Sequence, residues 1–170
     1  MVPAESTLKF IAEQQGAKFE GRFESFSAAF TFDTHQPAEG GLRGTIDTAS
    51  VNTFNQERDD YLRSAEWFDA VRWPQAIFET TSIEPAGDGA WLANASLSLR
   101  DVTRPVTMRF SFTPPEGDAP ARLTGAVDLL RLEFGVGQGI WTNTEWVGDA
   151  VRVELDLSLR RTDAEPAPQP

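Results

Sequence analysis

Few residues in this chain could perform acid–base or nucleophilic chemistry. His35 is the only histidine and there is no cysteine, whereas a nucleophilic Ser or Thr needs an adjacent base. His35 lies in an apparent turn between Asp33 and Pro37, where we expect an exposed loop histidine rather than a catalytic base. One histidine without cysteine also argues against a zinc site and excludes bis-histidine haem ligation within one chain. We therefore predict no nucleophilic enzyme.

The carboxylates do not suggest a catalytic pair either. Asp59 and Asp60 are adjacent, so on a helix they would point about 100° apart and cannot face each other across a substrate. Asp47, Asp59 and Asp69 would have to converge through folding, and nothing in the sequence shows that they do. We interpret Arg58 with Asp59 as a salt-bridge or backbone hydrogen-bond clamp that holds a helix to the rest of the fold.

A glycine-rich segment, Gly135–Gly139, resembles a phosphate-binding loop only superficially. It lacks the strand-then-helix context and the lysine that a phosphate loop uses, so we predict a flexible hairpin or lid. Trp141 and Trp146 follow it. These two rings either cap the mouth of a pocket, where the ring is buried and the N–H meets a polar partner, or pack at an ordinary sheet edge.

The predicted helix belongs to a unit that runs from Leu42 to Ile83. Leu42–Val51 alternates and is rich in β-branched residues, which predicts a strand. The segment from Asn55 to Ser64 has no β-branched residue, and Asn55 can cap a helix there. Pro74 has no N–H and marks where the next strand begins. The helix and three large aromatics, Trp67, Phe68 and Trp73, are expected to cover the end of a sheet or barrel.

The rest of the chain is dominated by short segments that alternate with period two. The clearest is Val151–Leu159, whose odd positions are all apolar and whose even positions are charged or small and polar. In another, Gly21 lies between Phe19 and Phe23, and glycine there allows either a sharp bend or a close approach to the backbone. About eight strands separated by turn residues predict an all-β fold, either an antiparallel barrel or a sandwich.

Composition limits the size of the fold and its partners. The 170 residues suit one domain, placed at residues 6–160, followed by a Pro- and Ala-rich tail at 161–170 that we expect to be disordered.

The net charge of −11 repels phosphate, so no nucleic-acid partner and no anionic lipid surface is expected. No run of about 18 apolar residues predicts a transmembrane segment. Twelve Phe and five Trp either fill the interior or line a cavity for a long apolar ligand.

Short motifs from about Ser6 to Arg160 resemble one family, in the same order along the chain. They are Gly21-Arg22-Phe23, Ile46-Asp47, Arg58-Asp59, Leu62-Arg63-Ser64, Trp67-Phe68-Asp69, Pro74-Gln75-Ala76-Ile77-Phe78, Val102-Thr103-Arg104-Pro105-Val106 and Phe134-Gly135-Val136-Gly137. On these motifs the sequence is identified as a member of the YceI-like family. The resemblance implies an extended eight-stranded antiparallel barrel of lipocalin type, with one short helix between two strands. It also implies a periplasmic protein, although no signal peptide is recognisable here, with a tunnel for a polyisoprenoid or another long-chain amphiphile.

Two positions depart from the family's common pattern. Gln14-Gln15-Gly16-Ala17 stands where the family has a histidine near the end of the first hairpin, and Tyr61 stands where a histidine often follows the Arg-Asp pair. Both replacements remove a titratable group. The Gln-Gln-Gly-Ala segment, the Gly135–Gly139 loop and Trp146-Val147-Gly148-Asp149 resemble a subgroup often found beside, or fused to, a di-haem membrane cytochrome b. This implies such a cytochrome as a partner, and the family also implies a homodimer.

Three functions follow from these observations. The first is a periplasmic carrier that holds an isoprenoid, such as a quinone tail, or a similar lipid and has no cofactor of its own. The predicted ligand contacts are Phe19, Phe23, Phe30, Trp67, Phe68, Phe78, Phe110, Phe134, Trp141 and Trp146 for the chain, and Gln14, Arg58 and Asn143 for the head group. The second is a non-enzymatic interaction module with a filled barrel that docks on a membrane partner. The third, an enzyme acting on a lipid or quinone, is disfavoured because His, Cys and paired carboxylates are lacking.

Overall fold

The computed structural model describes residues 1–161, so nearly all of the predicted tail at 161–170 lies outside the described residues. Within that range, ten antiparallel strands form one sheet, and helix α1 spans Gln56–Arg63. The strands are β1 (Thr7–Gln14), β2 (Ala17–Phe23), β3 (Phe26–Thr31), β4 (Gly41–Asp47), β5 (Val51–Asn52), β6 (Gln75–Gly87), β7 (Ala90–Leu99), β8 (Val102–Thr113), β9 (Ala121–Leu130) and β10 (Ala150–Leu159). No helix in the described range is long and apolar enough to cross a membrane.

The sheet closes on itself because four of its strands are the halves of two longer, bent ones. β2 and β3 are separated only by Glu24 and Ser25, and β4 and β5 only by the 3-10 turn Thr48–Ser50. β2 pairs with β5 while β3 pairs with β4, and across the break the Glu24 N–H donates to the Ser50 carbonyl at 3.1 Å. The predicted lipocalin-like barrel is confirmed, and ten strands rather than eight are counted because two of the eight are interrupted.

Helix α1 lies over one end of the barrel, and side-chain hydrogen bonds hold it there. Asn55 Oδ1 accepts from the Arg58 N–H at 3.0 Å, which confirms the predicted cap. The buried Asp59 carboxylate accepts from the N–H and the hydroxyl of Thr53 at 2.8 and 2.6 Å. Of the two clamps predicted for this pair, the hydrogen-bonded one is present. Arg58 reaches the barrel separately, by donating from Nε to Gln14 Oε1 at 3.2 Å.

The barrel interior is filled at the end away from α1 and hollow beneath the helix, so both predicted roles of the aromatics occur. The filled end contains an aromatic cluster whose ring centres lie between 5.0 and 6.2 Å apart in the contacts that join them. Its members are Phe30, Phe32, Trp91, Phe110 and Phe112. Four of these six contacts are edge-to-face, a packing that stabilises beyond the area buried, and the cluster forms a floor for the space beneath α1.

Gly21 in β2 allows the ring of Phe10 to lie against the backbone. A Cβ atom at this position would lie 2.4 Å from Phe10 Cζ and 2.9 Å from Thr53 Cγ2. Carbon atoms do not approach so closely without strong repulsion. Of the two roles predicted for this glycine, the close approach is therefore the one that the packing requires.

We expect Gly21→Ala to lower the free energy of unfolding by about 1–3 kcal/mol, because the added methyl group overpacks the core against Phe10. Gly41→Ala in β4 is the matched control, since a Cβ there meets nothing within 4 Å and alanine restricts the unfolded chain. Urea unfolding followed by tryptophan fluorescence measures both variants. Equal stability of the two would contradict the close contact.

Candidate functional site

A cavity of about 540 Å³ lies beneath α1, within the range of about 300–1,000 Å³ typical of small-molecule sites. Its walls are the inward-facing positions of the alternating strands. They include Leu8, Phe10, Ala12, Phe19, Phe23, Leu42, Gly44, Ile46, Phe78, Leu97, Leu99, Val127, Leu129, Val151, Val153 and Leu155. The period of two sends each of these side chains to the same face of its strand, so the lining is overwhelmingly apolar.

Five of the eight polar or charged lining residues lie at one end of the cavity. Gln14 ends β1 and Gln15 follows it, and Asn55, Glu57 and Arg58 come from the start of α1. Because Gln15, Asn55 and Glu57 are exposed, this end is the mouth of the cavity.

Arg58 is the cation at this mouth. Its guanidinium carbon lies 4.0 Å from the centre of the Phe19 ring, which is a close cation–π contact, and its Nε donates to Gln14. Within residues 1–161 it forms no ion pair. Its terminal N–H groups can therefore serve an oxygen acceptor placed at the mouth.

A second arginine, Arg131, is buried beside the cavity and binds four backbone carbonyls. Its Nε donates to Gly148 at 2.9 Å and one terminal nitrogen donates to Val136 at 2.9 Å. The other terminal nitrogen donates to Trp141 and Val147, both at 2.7 Å. These four carbonyls lie on the segment 136–148, so one side chain holds the whole segment against the barrel.

Burial lowers the pKa of Arg131 below its ordinary value, and the nearby Asp149 carboxylate partly opposes this shift. Arginine nevertheless stays protonated in proteins, so a positive charge is fixed within the cavity lining. Sequence reasoning missed this residue. Its only signal was its place just before the glycine-rich motif, and a linear sequence does not show that four distant carbonyls meet at one guanidinium.

The segment Gly135–Gly139, predicted as a flexible hairpin or lid, lies in the connection between the paired strands β9 and β10. This connection contains 3-10 turns at Arg131–Phe134 and Gly139–Thr142. It is also tied to the corner after α1, where Glu66 Oε2 accepts from Trp141 Nε1 at 2.8 Å. Trp141 and Trp146 both line the cavity at its mouth, which agrees with the capping role rather than with edge packing.

Ten of the thirteen predicted ligand contacts lie in the cavity lining. Three are placed elsewhere. Phe30 and Phe110 belong to the aromatic cluster at the filled end, and Asn143 is exposed, with its side-chain oxygen accepting from the Glu145 N–H at 2.9 Å. Alternation identifies which residues point inward but not the level at which the barrel changes from filled to hollow. A ligand-contact role for the other ten stays a prediction.

Two of the remaining ionisable candidates, Asp47 and Asp59, have structural partners. Asp47 accepts from the Ala49 N–H at 2.9 Å, and Asp59 binds Thr53 as described. Among residues 1–161, no three His, Asp or Glu side chains are grouped so that they could hold a metal ion. The arrangement therefore offers apolar burial with hydrogen-bond donors at the mouth.

A closed antiparallel barrel with an apolar cavity under a short helix defines a protein with a lipocalin-like fold. The chain belongs to the YceI-like domain family, whose profile matches residues 1–159.

Individual relatives agree with this membership. A UPF0312 protein of Pseudomonas paraeruginosa is 36% identical over 143 residues, which is 82% of this chain and 71% of that protein. The crystal structure of BcnA from Burkholderia cenocepacia is 30% identical, with a TM-score of 0.86 over 91% of this chain and 96% of that one. A polyisoprenoid binding domain from Saccharophagus degradans shares the fold with a TM-score of 0.65 at 16% identity, over 89% of this chain and 91% of that one.

We expect Arg131→Lys to lower the free energy of unfolding by about 2–4 kcal/mol, because a lysine cannot satisfy four carbonyls at once, two of them in buried hydrogen bonds. Arg104→Lys is the matched control, since exposed Arg104 donates to a single carbonyl, that of Glu133. Urea unfolding measures stability, and near-ultraviolet circular dichroism reports the packing of Trp141. A change below about 0.5 kcal/mol, which is usual for surface substitutions, would contradict the role assigned to Arg131.

Proposed function

We propose that this protein binds the apolar chain of one long-chain isoprenoid, or of a similar amphiphilic lipid, inside its barrel and carries it through the periplasm unchanged. The observation that carries this proposal is the cavity, which is apolar along its walls and polar at its mouth. Membership of the YceI-like family and the fold shared with a polyisoprenoid binding domain support it. A hollow interior also favours this role over an interaction module with a filled barrel.

The energetics of such binding are governed by apolar burial. A prenyl tail that loses about 500 Å² of exposed surface gains about 12 kcal/mol at about 25 cal/mol per Å². Association costs about 4–15 kcal/mol in lost motion and ordering. Because these magnitudes are similar, affinity depends on a cavity that is already formed. The hydrogen bonds from Arg131 to four carbonyls of segment 136–148 support such a preformed cavity.

The mouth suits a head group that accepts hydrogen bonds. The Gln14 and Gln15 amides and the Arg58 guanidinium lie there, and Arg58 has no acidic partner in the described chain. Quinone carbonyls or phosphate oxygens are acceptors of the matching kind. The cytochrome b partner, the homodimer and the periplasmic location stay predictions that rest on the family resemblance.

Filling the cavity tests the proposal directly. In Gly44→Leu the new side chain enters the cavity, while its Cβ meets Phe78 Cβ at an ordinary 3.8 Å. We expect native mass spectrometry to show one prenyl quinone bound per wild-type chain, and affinity about tenfold lower in the variant, because a branched side chain replaces about one buried isoprene contact.

Gly41→Leu is the matched control for this test. Gly41 is on the same strand, is absent from the lining, and has nothing within 4 Å of its Cβ position, so its affinity is expected to equal that of the wild type. Wild-type protein that takes up no long-chain lipid, or equal binding by both variants, would refute cavity binding.

The head-group role of Arg58 requires a separate test. We expect Arg58→Met to weaken binding of a prenyl quinone by about tenfold, the loss of one charged hydrogen bond worth about 1.5 kcal/mol, and to leave binding of squalene, which has no head group, unchanged. Arg43→Met is the control, because Arg43 is exposed on β4 and pairs with Glu79. Fluorescence titration with both ligands distinguishes the effects, and an equal loss for quinone and squalene would exclude a head-group contact.

A further inference from the structure

Six large apolar side chains of the described chain are exposed, and four of them flank the cavity mouth. Tyr61 and Trp146 are 48% and 55% exposed and belong to the lining itself. Phe54 and Ile140 are 70% and 76% exposed and directly precede the lining residues Asn55 and Trp141. We call these four residues the mouth rim. Of the other two exposed residues, Val71 is not next to a lining residue, and Leu130 lies between the lining residues Leu129 and Arg131, neither of which is among the polar residues of the mouth.

The mouth rim is held outward by specific contacts. The Tyr61 ring packs against Trp141 at 5.4 Å between centres, and the Trp146 carbonyl accepts from the Gln15 N–H at 2.9 Å. Phe54 has a φ of 60°, a left-handed conformation that is costly for a bulky side chain. The Phe54 ring contacts Arg22, whose guanidinium carbon lies 5.0 Å from the ring centre, and the side chain is still 70% exposed. Most of the ring is therefore free for a contact outside the folded chain.

The residues around the mouth rim indicate what it contacts. Tyrosine and tryptophan prefer the boundary between lipid and water, because each ring has an apolar body and a polar edge. Glu57, Asp60, Glu66 and Glu145 are exposed in the same region, and the chain carries a charge of −11, so an anionic surface is repelled. Four apolar side chains are also few beside the about 20–30 residues that each partner contributes to a stable protein interface.

We propose that the mouth rim inserts shallowly into an uncharged, zwitterionic phospholipid surface, so that the cavity opens directly onto lipid. This inference rests on the proposed function, because a lipid cargo would then pass between bilayer and cavity without crossing water. Phe54 and Ile140 are not part of the cavity lining, so substituting these two rim residues tests insertion without altering the cavity wall.

The test is flotation with phosphatidylcholine vesicles, compared with vesicles that mix phosphatidylcholine with phosphatidylglycerol. We expect the wild-type chain to float with phosphatidylcholine and to bind less to the anionic mixture. The double variant Phe54→Asn with Ile140→Ser, in which asparagine tolerates the left-handed backbone, should lose about tenfold or more in partitioning. Val71→Ser, at a side chain 97% exposed, is the control and should partition like the wild type.

Several results would overturn the inference. They are no binding of the wild type to phosphatidylcholine, stronger binding to the anionic vesicles, or an equal loss in Val71→Ser. A concentration-dependent dimer in sedimentation that the double variant abolishes, together with no vesicle binding by the wild type, would assign the mouth rim to a second copy of the chain.

Quinone titration of the same variants separates the two proposals. Unchanged quinone affinity with lost flotation supports the rim as a membrane contact, whereas flotation without any quinone binding refutes the carrier function alone.

Discussion

The closure of the sheet across its bent strands is the constraint on which the rest of the structure depends. The hydrogen bonds between the Glu24–Ser25 bend and the Thr48–Ser50 turn join two strand pairs that would otherwise be open edges. A closed barrel has an interior whose width is set by strand number and tilt. The chain must then fill that width or leave it hollow, and it fills one end only, with an aromatic cluster.

The hollow end is maintained by polar contacts together with the apolar packing of Leu62, Trp67 and Phe134. Asp59 ties α1 to Thr53, and Arg131 ties the segment 136–148 to the barrel through four carbonyls. Buried polar groups that are fully satisfied fix one geometry, because any displacement leaves a donor or acceptor without a partner. An apolar space of about 540 Å³ persists under this frame.

The chemistry of the site follows from the contrast between its apolar walls and its polar mouth. In the proposed function, the walls attract an apolar chain without directional preference, and the donors at the mouth orient a head group. The contacts of Arg58 with Phe19 and Gln14 hold it at the mouth for that proposed role. In the further proposal, the mouth rim extends the same apolar character to the surface around the entrance.

Much of this architecture was determined by local sequence. Alternation predicted the inward faces of the strands, Asn55 predicted the helix start, and Pro74 predicted the start of β6, because each signal acts within a few residues of itself. The level at which the barrel changes from filled to hollow depended on tertiary structure, so Phe30 and Phe110 were assigned to the cavity but belong to the floor. The sequence did not predict that four carbonyls converge on Arg131 either, because residues 131 and 148 meet only after the chain has folded back on itself. Period and capping are local properties of the chain, whereas a cavity is the space that remains after every strand has been placed.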